Sequence, residues 1–579
     1  MRVRMGLSPG HGPRANPVTR RAFLGRAVIG SLGIGLAGAL AAYGRRVPAP
    51  LDTSGRTDFA PPFAIATAGG LRPLWTLAHR AVVTDPSMLR LPRGATVESP
   101  WVDSTPGARY QLVVTSNGPV RVSTKWFDAA RRPMAMGDAA RTLQRRASLI
   151  VTTPANAGGF RLQLGTDTDD VAVTALSLAL VGGVRVEPFP DFQRAAFAFS
   201  YDWESAMGGL IHTRSPANSE GDGTQVALHS DGSPVVADAE DKGMRMRDGA
   251  RFLAAQFATH AIRATFYATG YNLLAGNADH EQFLGDPVYS NADAAHGWGS
   301  DYWHTHPWYE HDPFGTEQTH PAWYFASLTR ELAAAGHEIA SHSFGHLYVR
   351  GVKPEQLEAD LQLWQRAAAT LGVRTAPSFA FPWTSSNSLD ERFWMVFARI
   401  GWMVLTRLYP HDLRYPYELD RVPADPRLAV FPDFYLQSHA AMLDEALAHI
   451  EETVARRGYH SFWTHPNEVL EQDGRMVWTR VIAAANDARD RGLWIAPVTE
   501  IAGHAVAARA VVVSAEGAGR RFSVENPTNR DLSGLTLTMP YRVQEAMMDG
   551  KPLADVRGDQ VRLPTLAAGS GVIIEVTPL

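Results

Sequence analysis

The 579-residue chain contains no cysteine. That excludes disulfides, thiolate metal ligands, a cysteine nucleophile and lipidation through sulfur. Any metal must therefore sit on His, Asp or Glu side chains. An excess of one charge sign is also lacking: 55 Lys and Arg face 59 Asp and Glu, for a net charge of −4. No global field then points to nucleic acid, or to an anionic membrane surface, as a partner. No internal repeat is visible. What is present is ordinary for a globular protein, with 45% hydrophobic and 20% charged residues, which rules out disorder throughout. The length suggests about three or four domains.

Residues 19–24 read TRRAFL, and a nearly uncharged stretch runs from Ala27 to about Tyr43. Its length, about 17 residues, is at the short limit for a spanning helix. Paired arginines ahead of a weakly hydrophobic core resemble a twin-arginine export signal, and Ala39-Leu40-Ala41 supplies a small-x-small cleavage site. The alternative is a plain N-terminal membrane anchor. Either way the folded part is expected outside the cytoplasmic membrane, in the periplasm, the cell wall or the medium, and membrane-anchored if the segment is not cleaved.

The pattern expected for the rest is multidomain. Residues 1–44 form the export signal and 45–64 a Pro-rich linker. From 65 to 187, short alternating runs such as YQLVVT and VRVSTKWF, separated by turn residues, predict a β-sandwich. Its layout is similar to a carbohydrate-binding module. Trp101 and Trp126 either stack on sugar rings or pack in a core. From 188 to 505, apolar strands alternate with amphipathic helices, predicting about seven βα units in a barrel-like parallel sheet. Two insertions interrupt it, at 205–245 and 273–322, the second dense in Trp, Tyr and His. Residues 506–579 predict a small β-sandwich.

Three strand ends of the α/β region carry titratable groups. Ser200-Tyr201-Asp202-Trp203-Glu204 closes an apolar run. Asp202 and Glu204, two apart on a strand, project to one face. Two such close carboxylates mark either a site that holds a cation or a solvated turn. His342-Ser343-Phe344-Gly345-His346 follows HEIAS. Histidines four apart share one face of a helical turn, as metal-binding pairs do, or are two unrelated surface residues. Phe462-Trp463-Thr464-His465-Pro466 ends a third strand, with His465 an acid or base, or a capping or core residue.

Taken in order, D-x-E, HSxxH and TH resemble the polysaccharide deacetylase family (carbohydrate esterase family 4, the NodB homology domain). The segments KGMRMRDGARFLAAQFATHAIRATFYATG and LTRELAAAGHEIASHSFGH carry the same resemblance, which spans about 195–505. It implies a central distorted (β/α) barrel of the deacetylase type, flanked by the two sandwiches, and one divalent metal, expected to be zinc. Matched to the family's motifs, Asp202 is the base and Glu204, His342 and His346 are the metal ligands. His465 is the general acid, and Trp383 offers its backbone N–H to an oxyanion. The implied activity is removal of acetyl groups from a polysaccharide. Two departures stand out: Glu204 replaces the usual Asp, and Ala380 occupies the position of the Arg that holds the base. Asp420 and Asp425 are candidates for the acid that orients His465.

The aromatic insertion at 286–322 either walls a substrate groove or packs on the barrel rim. His304, His306 and His311 are candidates for a second metal site. Competing readings are a glycoside hydrolase using Asp202 and Glu204, a metal-dependent amidase acting on a non-sugar amide, and a carbohydrate-binding protein with a decayed site. The glycosidase suits the sequence poorly. Its two carboxyls work across the substrate at about 5–9 Å, and it leaves HSxxH unexplained.

Overall fold

The computed structural model describes residues 62–579, apart from 79–80, 138–139, 169, 212–226, 284–300, 307, 410–415, 472 and 517–519. The arginine pair and the apolar stretch at 27–43 lie outside the described residues. Among the described residues, no helix is long and apolar enough to cross a membrane.

A hairpin of Ala64–Thr67 and Gly70–Pro73 opens the described chain, followed by two larger antiparallel sheets. One is built around Val120–Asp128 and Ala157–Gly165, the other around Arg109–Ser116 and Val171–Gly182. Arg109–Ser116 alternates buried and less buried residues along its length, as a strand with one core face must. The inner faces share one core that includes Val97, Tyr110, Leu112, Val122, Trp126, Leu162 and Leu178. Trp126 is thus a core residue. Trp101 leans on Phe127 with the Arg131 guanidinium 4.1 Å above its ring, so neither tryptophan presents a bare face for a sugar.

The central region runs β1 (Ala195–Trp203), α1 (Val236–Thr259), β2 (Thr265–Ala268), α2 (Ala326–Ala334), β3 (Glu338–Ser341), α3 (Pro354–Leu371), β4 (Thr375–Ala380), α4 (Glu391–Arg399), β5 (Val404–Thr406), β6 (Asp420–Arg421), β7 (Ala429–Val430), β8 (Phe434–Tyr435), α5 (Leu443–Arg456), β9 (Tyr459–Thr464), α6 (Gly474–Asp487), β10 (Leu493–Ile495) and α7 (Val498–Ala510). All nine residues of β1 are buried, the signature of a parallel strand covered on both faces. The sheet order is β6-β7-β5-β4-β3-β2-β1-β9-β8, with β10 also on β1. Every pairing is parallel except β6 with β7. The sheet curls until its ends meet: the Phe431 N–H donates to Leu405 O at 2.9 Å, and the Ser461 N–H donates to Pro432 O at 3.0 Å. The run from β7 to β8 thus borders both β5 and β9, giving a distorted barrel.

The short strands β6, β7 and β8 escape a sequence reading because two residues carry no period. Helix α1 begins at Val236, inside the expected insertion at 205–245. Its early turns bury Ala239, Lys242 and Gly243 rather than an apolar stripe. Helix α3 follows its pattern closely, with Pro354 at its first turn and Gly372 ending it at φ 74°.

The last region forms two more antiparallel sheets. Arg185–Val186 joins one of them by pairing with Thr536–Thr538. Val186, Phe522, Leu537, Val561 and Ile574 share its core. Helix α7 runs across residue 505, where the sequence suggests a domain edge, and lends Ala507 and Ala508 to that core.

Candidate active site

Barrel strands deliver functional groups at their C-terminal ends, and the titratable groups of this chain converge there. β1 brings Asp202 and Glu204, the loop after β3 brings His342 and His346, and His465 follows β9. Asp202, Glu204, His342 and His346 are all buried. Glu204 Oε1 lies 3.1 Å from His346 Nε2, 3.8 Å from His342 Nε2 and 3.7 Å from His465 Nε2. His342 Nε2 is also 3.8 Å from Asp202 Oδ2. The two carboxylates and three imidazoles therefore meet around one point.

The HSxxH segment is a loop rather than the expected helical turn. Ser343 (φ 66°) and His346 (φ 52°) both take left-handed backbone, which costs a non-glycine residue about 1–3 kcal/mol. Asp360, buried on α3, holds that conformation. Its carboxylate accepts from Ser343 Oγ at 2.8 Å, Phe344 N–H at 2.7 Å and Gly345 N–H at 2.8 Å. Burial still pushes the Asp360 carboxyl up to about 6 against those donors. Asp360 escaped the sequence reading, although an acid set in the buried stripe of Leu357, Leu361 and Trp364 was the signal.

The imidazole tautomer of His342 follows from its partner. Its Nδ1 lies 3.0 Å from Ala380 O, and a carbonyl can only accept, so Nδ1 carries the proton and Nε2 keeps its lone pair. Burial holds this imidazole down to about 4, against the pull of Asp202, so it is neutral at ordinary pH.

The Arg missing at Ala380 arrives from the next strand. Arg407, directly after β5, is buried and donates Nε–H to Asp202 Oδ1 at 3.0 Å and an Nη2–H to Ser200 Oγ at 3.1 Å. Its own N–H is anchored on Asp433 Oδ2 at 2.7 Å. The acid that orients His465 is likewise one the sequence did not single out. His465 Nδ1 lies 2.6 Å from Glu468 Oε1, and Glu468 also accepts from Thr464 Oγ1 and Tyr435 OH, each at 2.7 Å. Glu468 sits three residues beyond His465, one turn away, and that spacing was its signal. Asp425 is instead paired with Arg427, and Asp420 accepts from the Arg421 N–H. Burial would lower the His465 imidazole, but Glu468, then Glu204, raise it to about 9.

Trp383 sits at the rim with left-handed backbone (φ 61°). Its indole donates to His346 O at 3.2 Å, and its ring centroid is 5.0 Å from that of His346. In the aromatic insertion, His306 stacks on Tyr302 at 4.2 Å, and His311 Nε2 lies 2.9 Å from Tyr302 OH. Among the described residues, Glu204, His342 and His346 are the one group of three His, Asp or Glu whose ligand atoms all lie within 4.8 Å of one another. His304, His306 and His311 form no such group.

The donor set suits a divalent cation. Two imidazoles and one carboxylate are a familiar combination for zinc. Bonds of about 2.0–2.1 Å in tetrahedral array ask for ligand separations of about 3.3 Å, close to the 3.1 and 3.8 Å found here. Both Glu204 oxygens are buried and accept no hydrogen bond. Burial would raise the Glu204 carboxyl, but His346, Lys242 and His465 hold it well below the usual range. A buried, ionised carboxylate without hydrogen-bond donors is a group that awaits a cation.

Residues 241–392 match the family model described as Polysaccharide deacetylase. That span holds His342, His346 and Trp383, while Asp202, Glu204 and His465 lie outside it. No curated protein matches the chain. Among solved structures, a Mycobacterium smegmatis protein bearing the polysaccharide deacetylase name is 18% identical, over 55% of this chain and 92% of its own, at a TM-score of 0.36. PuuE allantoinase is 16% identical over 55% and 92%, at 0.34. A family 4 carbohydrate esterase from Streptomyces lividans is 14% identical over 42% and 84%, at 0.23. Likenesses this distant carry no argument about function, and the assignment rests on the family model. What the comparisons give is therefore a match of residues 241–392, about a quarter of the chain, to the polysaccharide deacetylase family model.

Proposed function

We propose that the protein is a metal-dependent hydrolase that removes acetyl groups from an extracellular or cell-wall polysaccharide. The observation that carries this reading is the meeting of Glu204 Oε1 with three imidazoles, beside Asp202. Held by Glu204, His342 and His346, a divalent cation, zinc in this reading, supplies Lewis acidity and a water far more acidic than bulk water.

The remaining roles belong to the chain. Asp202, oriented by Arg407, takes a proton from the attacking water. The Trp383 backbone N–H donates to the developing oxyanion, a contribution typically worth about 3–4 kcal/mol. His465 gives its proton to the leaving amine or alkoxide, and its raised pKa keeps that proton in place at neutral pH. Tyr435 and Thr464 hold Glu468, so His465 has little freedom to turn away. The proposed place of action is outside the cytoplasmic membrane, argued from the arginine pair and the apolar stretch that follows.

The test is metal analysis of the purified protein, together with acetate release from chitooligosaccharide, peptidoglycan and acetylated xylan. The expected result is one divalent ion per chain and acetate from at least one polymer. Reducing ends without acetate would replace this reading with a glycosidase. Neither metal nor acetate would leave a carbohydrate-binding protein.

A further inference from the structure

The early turns of α1 bury a lysine. Lys242 is 2% exposed, and its ammonium lies 3.7 Å from Glu204 Oε2. An ammonium this deep is tolerated only beside an anion. Two glycines make the approach possible. A Cβ at Gly243 would sit 2.9 Å from Ala206 N, and one at Gly208 would sit 2.8 Å from Glu204 Oε2. The two oxygens of Glu204 are thereby divided: Oε2 faces the ammonium, while Oε1 faces the imidazoles of His342, His346 and His465.

We propose that Lys242 is a positioning residue for the cation site, holding Glu204 Oε2 so that the carboxylate ligates through Oε1 alone. The inference rests on the reading of Glu204, His342 and His346 as that site. One-oxygen ligation keeps a coordination position free for water and the substrate carbonyl. The like charge of the ammonium also loosens the hold on the ion, so the site trades affinity for open geometry.

The experiment titrates zinc by calorimetry, against a competing chelator, into the full-length wild type, K242M, K242Q and H342A. Visible spectra of the cobalt-loaded proteins are recorded alongside. K242M and K242Q should each bind zinc at least about tenfold more tightly, the scale of removing a unit charge about 6 Å from a divalent ion even under bulk-water screening. Their cobalt absorption should weaken as the second carboxylate oxygen raises the coordination number. Zinc affinity that is unchanged or weaker in these variants, with H342A still losing the ion, overturns the role of Lys242. A wild type that takes no zinc, or an H342A variant that holds it as well as wild type, overturns the cation site itself. Should K242M fail to fold, K242Q, which keeps the polar reach without the charge, decides the question alone.

Discussion

Two clusters of buried charge differ in how completely their carboxylates are satisfied. Where the N-terminal sheets meet the barrel, Glu418 accepts from Arg131 at 2.6 Å, from Arg161 and from the Trp101 N–H at 3.1 Å. Asp103 accepts from Arg509 at 2.8 Å. At the strand ends, Glu204 is more deeply buried and its carboxyl is likewise held low, yet neither of its oxygens accepts a hydrogen bond. Burial opposes ionisation at both places. At Glu418 the opposing force is Arg161 and Arg131, and at Glu204 it is His346, Lys242 and His465. Guanidinium forks saturate a carboxylate and leave it nothing further to bind. Imidazoles and a distant ammonium hold the charge while leaving the lone pairs free. Burial and ionisation are common to both clusters, so the open lone pairs are what distinguish a site from a joint.

The largest effects should separate the two clusters cleanly. E204A or H342A should remove the metal and lower acetate release by more than about 10⁴-fold, beyond the range typical of losing one acid–base group. E418Q should leave metal content and rate near wild type. Full metal occupancy in E204A would erase the distinction. Next comes H465A, with an expected loss of about 10²–10⁴-fold on an amide substrate and a smaller one on an ester, whose alkoxide needs the proton less. Equal losses on the two would remove His465 from its role as acid.

Stability should then divide differently from activity. Removing one partner of a buried ion pair typically costs about 3–5 kcal/mol, because the other charge is left uncompensated. R407M, which strands Asp202, and E418Q, which strands Arg131 and leaves Arg161 only Glu98, should both lower the melting temperature. Only R407M should also lower the acetate rate beyond what the lost stability explains. An R407M protein that is destabilised but fully active would place Arg407 with the joint rather than the site.

The groups that converge at the strand ends were legible because their residue types are chemically restrictive: paired carboxylates and imidazoles at strand ends have few uses. Their supports were not. Arg407 and Glu468 reach the site through fold geometry that no local spacing encodes, and each stands in place of a position the family resemblance pointed to elsewhere. Asp360 sits in an apolar helical stripe, and its partners are backbone N–H groups of a distant loop. Lys242 was hidden because the early turns of α1 pack through Ala239 and Gly243 and show almost no hydrophobic period to detect. The sheet was legible in its long parallel strands, and illegible in β6, β7 and β8, where closure depends on two-residue pairings.

A half-buried carboxylate, Glu338, sharpens the comparison at its smallest scale. Glu338, at the start of β3, accepts from Thr265 Oγ1 at 3.1 Å and from Thr499 Oγ1 at 2.9 Å. It has hydroxyl partners but no cation. Burial outweighs those donors and raises its carboxyl to about 7. Because the folded value lies above the unfolded one, this group stabilises the fold fully below about pH 4.5. That contribution falls away as pH rises through about 7. Gln at 338 mimics the protonated acid at every pH. E338Q should therefore match wild type in melting temperature at pH 5 and exceed it at pH 8, by an amount corresponding to about 2 kcal/mol. Acetate release should be unaffected, since Glu338 lies at the opposite end of its strand from His342. A difference in stability that stays constant between the two pH values would mean that Glu338 is ionised in the fold, and that hydroxyl donors suffice where Glu204 relies on imidazoles and an ammonium.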